Sequence, residues 1–146
     1  MPFLESDREI RDVLQTCRKI AVIGLSPVPA RPSYGVTRYM IQHGYQIFGV
    51  RPASPPKILD RPCVEKLSLL ADDVDMFDVF RNPEAMPQVM QEIEEWITRH
   101  PRPNGPARVL WLQEGVSHPE AEAHASRLGL RIISDRCILK EHARLM

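Results

Sequence analysis

Cysteine is scarce in this chain: Cys17, Cys63 and Cys137 are odd in number, far apart and never in a Cys-x-x-Cys pair. That argues against a disulfide framework and against a zinc site, and fits a reducing compartment. An excess of either charge is missing too. Lysine plus arginine equals aspartate plus glutamate at 19 each, so no overall field draws the chain to nucleic acid or to an anionic membrane. The longest apolar runs are about the length of a strand, and Met1 to Glu9 lack a cationic region followed by an apolar stretch. The expectation is a soluble cytoplasmic protein with neither a membrane span nor a secretory leader. Glycine numbers only seven, and the dinucleotide fingerprint Gly-x-Gly-x-x-Gly is missing because Gly24 stands alone before Gly35. At 146 residues the chain has room for one domain with a real core, expected over 1–146, and too little for two.

What is present is a regular alternation of helical and strand patterns. Ser6 with Glu9 is a capping box opening a helix that carries Ile10, Val13 and Leu14 on one face and ends near Thr16, expected to pack on the domain. Lys19 to Gly24 reads as a buried strand, Tyr34 to His43 as a helix stopped by Gly44, and Tyr45 to Val50 as a second strand. Arg51 to Pro62 holds four of the fourteen prolines and predicts an irregular loop, followed by a short edge strand at Cys63-Val64 and a helical turn over Leu67 to Leu70. Asp75 to Phe80 is the third main strand, Pro87 to Arg99 a helix, and Ala107 to Leu112 the fourth strand. Ser117 with Glu120 predicts the cap of a helix over Pro119 to Leu128, Leu130 to Ser134 is the fifth strand, and 138–146 a short helical tail. The pattern is that of a Rossmann-like, doubly wound α/β domain with a five-stranded parallel sheet, helices on both faces and, most simply, strand order 3-2-1-4-5.

In such a sheet ligands bind at the carboxyl ends of the strands. The first of these ends is the most informative, because a strand, a loop and a helix N-terminus form a phosphate-binding corner there. Gly24 lets the backbone come close to a ligand, Ser26 and Ser33 offer hydroxyls, and Arg31 supplies a cation. After the second strand stands Arg51 where an NAD-binding domain places an acid. A cation there suits a ribose phosphate, of NADP or of coenzyme A, or else is a solvated loop arginine; the pattern leaves both open. Glu114 with Asp135 is a candidate acid/base pair, Cys137 either a reactive thiol or a small buried hydrophobe, and His142 the histidine expected nearest the strand ends.

Ile-Ala-Val-Ile-Gly-Leu-Ser-Pro, Arg-Pro-Ser-Tyr, Val-Phe-Arg, Val-Leu-Trp-Leu-Gln-x-Gly-Val and Asp-Arg-Cys-Ile, in this order and spacing, resemble the small stand-alone CoA-binding proteins. Their single domain is similar to the CoA-binding domain of the succinyl-CoA ligase α subunit, and the resemblance runs from about Cys17 to His142. It implies coenzyme A across the strand ends. Gly24, Leu25, Ser26, Arg31 and Ser33 would face the pyrophosphate. Val50, Arg51 and Pro52 would flank the adenosine, and Phe80 and Arg81 would meet the cofactor where it crosses the sheet. Gln113, Glu114 and Gly115 would lie toward the pantetheine end, with Cys137 on the rim where that arm ends. Arg51 departs from the family, which usually has Asn before this proline. The ligase depends on a phosphohistidine domain and a second subunit for which this chain has no room, so the resemblance implies binding of CoA or a short acyl-CoA, no catalytic residue and no metal. Alternatives from other classes are an NADP-dependent reductase or acyl-CoA transferase or ligase component, and a regulatory module for a larger acyl-CoA enzyme. The oligomeric state is open.

Overall fold

The strands of this chain are apolar on both faces, as strands covered by helices on two sides must be. In the computed structural model, which describes residues 2–146, the elements in chain order are α1 (Asp7–Thr16), β1 (Lys19–Ile23), α2 (Pro32–Gln42), β2 (Gln46–Val50), β3 (Lys57–Ile58) and β4 (Arg61–Val64). They continue with β5 (Met76–Val79), α3 (Met86–Arg99), β6 (Val109–Leu112), α4 (Pro119–Arg127), β7 (Arg131–Ile133) and α5 (Ile138–Leu145). One seven-stranded sheet holds all the strands in the order β3-β4-β2-β1-β5-β6-β7. All neighbours are parallel except the two-residue β3, which pairs antiparallel with β4 at the edge.

Alternation along each strand divides the core. Ala21, Phe48, Phe77, Leu110 and Ile132 face α3 and α4, where Trp96, Ile93 and Ala125 meet them. Ile20, Val22, Ile47, Met76 and Trp111 face α1, α2 and α5 through Leu14, Met40 and Ile138. The capping box of α1 forms as expected, with Ser6 Oγ accepting from Glu9 N and Glu9 Oε1 accepting from Ser6 N. The cap of α4 is shifted by one residue from Ser117. His118 is the N-cap, its Nδ1 accepting from Ala121 N and its own N–H bonded to Glu122 Oε2, while Ser117 pairs with Ser134. The tail at 138–146 is a packed helix, with Ile138, Glu141 and His142 buried. Pro2 to Leu4 bond to Ile132 and so cover the outer edge of β7.

The expected order 3-2-1-4-5 is overturned, and β4 is the reason. Its Cys63 and Val64 lie beside Gly49 and Val50, taking the flank of β2 where the third main strand was expected. β5 must therefore use the other side of β1, where Ile20 to Ile23 pair with Met76 to Val79. Counting only the parallel strands, the order is 3-2-1-4-5-6, that of the dinucleotide-binding fold.

Gly49 makes the β2–β4 approach possible: a Cβ there would lie 2.7 Å from Cys63 Sγ and 2.9 Å from Leu25 Cδ2. Gly49→Ala should therefore destabilise the protein by about 1–3 kcal/mol, as overpacking does in other cores. Urea unfolding checks this; an unchanged midpoint would show that β4 yields freely.

Candidate functional site

Strand order in this doubly wound sheet reverses between β1 and β5, and the crevice outside their carboxyl ends is where such folds take ligands. Here the two strand ends nearly touch. Gly24 has φ +93°, and a Cβ built on it would stand 2.2 Å from the Phe80 carbonyl oxygen and 3.1 Å from Arg81 Cδ. Only glycine fits, for the left-handed backbone and for the space. The ladder continues beyond the strands, with Gly24 N donating to Val50 O and Phe80 N to Ile23 O, both at 2.8 Å, so Gly24, Val50 and Phe80 form one rigid ledge.

The loop between β1 and α2 is closed by its own serines. Ser26 N donates to Ser33 Oγ at 2.9 Å and Val28 N to Ser26 Oγ at 3.1 Å, and both side chains are buried. Ser26 and Ser33 thus hold the loop shape. Leu25 and Val50 are core residues, 0% and 4% exposed, and bring only backbone to the ledge. At the start of α2 the N-cap is Arg31, no side chain caps the helix, and Pro32 removes one of the free donors. Tyr34 N turns back to Arg31 O at 3.1 Å, which leaves the Ser33 amide and the helix dipole for an outside anion. Arg31 is exposed and Arg51 and Arg81 are half-buried. None of the three enters an ion pair among the described residues, where nine pairs occupy other cations. Pro52 is exposed, and Ala53 beside it holds φ +54°, a strained value for a residue with a Cβ.

The ends of β6 and β7 look different. Gln113 is buried: its Nε2 donates to Asp78 Oδ1 at 2.6 Å and its Oε1 accepts from Ile138 N at 3.3 Å, tying β5, β6 and α5 together. Glu114 is paired with Lys140, and Gly115 N donates to Asp135 Oδ1. Cys137 is the half-exposed N-cap residue of α5, whereas Cys17 and Cys63 are buried and their thiols pushed up by burial. His142 lies elsewhere than expected. It packs against Tyr39 and His43 at the last turn of α2, the opposite end of the sheet, and burial followed by His43 and Arg18 hold its pKa down.

Asp78 escaped the sequence reading. It is 2% exposed on β5, and desolvation pushes its carboxyl up to about 7, the Gln113 hydrogen bond opposing in part. The available signal was an acid inside the apolar run Met76 to Val79. Two concavities of the surface lie away from the ledge: clefts of about 450 Å³ along α1 and about 590 Å³ around the amino ends of the strands. In the second, Arg102 and Arg108 are neutralised by Asp73 and Asp75. We place the site by the unpaired cations and open backbone instead, which a charged, extended ligand needs more than depth.

A mostly parallel sheet whose order reverses at β1 and β5 defines a Rossmann-like α/β protein. The chain belongs to the CoA binding domain family, which it matches over residues 18–143. It is 34% identical over 138 residues to the uncharacterized protein YneT of Bacillus subtilis (strain 168), spanning 94% of this chain and 95% of that one. Its structure is similar to that of cell-free ID.343 from Thermus thermophilus, with TM-score 0.85, 33% identity and coverage of 97% and 100% of the two chains. A hypothetical protein from Pyrococcus horikoshii OT3 superposes with TM-score 0.83 at 32% identity, covering 97% and 92%.

A native carboxyl that titrates near 7 against an ordinary 3.8 keeps a proton that the unfolded chain has released. Its stabilising contribution is full below the ordinary value and is lost as pH rises through about 7. Asp78→Asn should leave stability at pH 4 nearly unchanged and raise it by roughly 2–4 kcal/mol at pH 8. Urea unfolding of both proteins at the two pH values measures this; a difference independent of pH would place the ionised acid in a comfortable site.

Proposed function

We propose that the chain binds coenzyme A, or a short acyl-coenzyme A, across the carboxyl ends of β2, β1 and β5, and has no ligase chemistry of its own. The observation that carries the reading is the ledge at Gly24, where open backbone meets three arginines without ion pairs. Coenzyme A brings three phosphoryl groups, two in the pyrophosphate and one on the ribose. In this reading the pyrophosphate lies over Gly24 and the α2 N-terminus with Arg31 and Arg81 beside it, and Arg51 meets the 3′-phosphate while Pro52 flanks the adenine. An NAD site would want an acid where Arg51 stands. Each of the five histidines is held in a contact remote from this ledge or used as a cap: His43 and His142 on Tyr39, His100 stacked on Trp96, His118 capping α4 and His124 on Glu94. That supports holding of the cofactor without phosphohistidine chemistry.

Coenzyme A at about a hundred times its dissociation constant should stabilise the fold by ~2.7 kcal/mol, a few degrees in Tm, and NAD at the same concentration by much less. A thermal-shift series that ranks NAD or NADP above coenzyme A contradicts the reading. A charge-assisted hydrogen bond from Arg51 to the 3′-phosphate contributes about 1.5–3 kcal/mol, so Arg51→Ala should weaken coenzyme A binding roughly ten- to a hundredfold. Dephospho-coenzyme A should be nearly indifferent to the substitution. Calorimetric titration showing equal losses for both ligands would assign Arg51 to the loop and not to the phosphate.

A further inference from the structure

The strand ends divide into two halves of opposite character. On the β2, β1 and β5 side stand Arg31, Arg51 and Arg81, without a side-chain partner among the described residues, together with the uncapped start of α2. On the β6 and β7 side the polar groups satisfy one another. Gln113 is consumed by Asp78 and Ile138 N, Glu114 by Lys140 at 3.0 Å, and Gly115 N by Asp135 Oδ1 at 2.9 Å. Arg136, the cation nearest in sequence, is engaged by Glu141 at 3.2 Å and by the Glu5 carbonyl.

On the reading of the preceding subsection the phosphates take the first half, and the family resemblance then runs the pantetheine arm and any acyl group out over the second. We infer that the site reads the 3′-phosphorylated ADP part of its ligand and does not read the acyl group, so that it takes free coenzyme A and acyl-coenzyme A thioesters of different chemistry alike. Discrimination by a protein requires groups that are left unpaired when the wrong ligand binds, or a shaped apolar pocket that the right one fills. Among the described residues the side chains of Gln113, Glu114, Asp135 and Arg136 are already engaged within the protein, so none of these four is left unpaired to greet a thioester carbonyl or an acyl chain. A carboxylated acyl group would find no free cation there, and would lie near Asp135 and the Glu114–Lys140 pair, whose charges cancel. Cys137 contributes only a thiol, a weak hydrogen-bond donor.

Isothermal titration of the intact chain with coenzyme A, acetyl-, butyryl- and succinyl-coenzyme A and adenosine 3′-phosphate 5′-diphosphate tests this at one salt concentration. The four coenzyme A forms should bind within about threefold of one another, and the nucleotide within about tenfold of coenzyme A. Arg81→Ala should weaken all five by a common factor. A thioester that binds more than about tenfold tighter than coenzyme A, or a nucleotide more than about a hundredfold weaker, overturns the inference while leaving coenzyme A binding intact. If none of the five binds, the reading of the site itself fails, and this inference with it.

Discussion

The contact on which the rest of the structure turns is that of Gly24 with the Phe80 carbonyl, where the ends of β1 and β5 meet with no side chain between them. Because β5 lies against β1, the strand order reverses there, the switch point at which folds of this kind open a crevice over the strand ends. Because nothing but hydrogen projects from Gly24, the backbone at this strand end stays open to close approach, while its own N–H is held by Val50 O. The same approach sets Arg81 across the ledge, and Gly24 N fixes the end of β2, which carries Arg51. One residue without a Cβ thus brings three loops to a single line.

Behind this line lies a polar seam in an otherwise apolar core. Asp78, Gln113 and the first amide of α5 form a chain of hydrogen bonds that joins β5, β6 and the last helix. A buried carboxyl is costly when charged, and its raised pKa is the physical consequence. The seam rigidifies the half of the site whose own polar groups are already satisfied, while the half with unsatisfied cations is held by the serine-closed loop. Preformed loops lose little entropy on binding, and the prolines at 27, 29 and 32 act in the same direction.

Much of this was legible in the sequence. The capping box at Ser6, the glycine stops at 44 and 129, and the alternation of apolar runs locate the helices and every strand but β3, which lies inside the expected loop 51–62, to within a residue or two. The strand order was not legible, because β4 is four residues long, contains a proline and sits in a proline-rich stretch, so periodicity cannot assign it a flank. At the candidate site, the close backbone approach at Gly24 followed from residue type and position in the β1–α2 corner. The roles of Ser26, Ser33 and Gln113 could not be read that way, since whether a hydroxyl or amide faces a ligand or its own loop depends on partners distant in the chain. Asp78 could be seen only as an anomaly in an apolar strand, its partner lying 35 residues away.

The central claim, that an anionic nucleotide rests on the Gly24 ledge, is tested most directly by amide chemical-shift mapping of the labelled chain titrated with coenzyme A. The account predicts the largest shifts at Gly24 to Tyr34, at Arg51 and Ala53, and at Phe80 to Asn82, with α1 and the 101–108 loop at the amino ends nearly silent. Shifts concentrated in the cleft between Asp73 and Arg108, or along the outer face of α1, with the ledge unperturbed would contradict it.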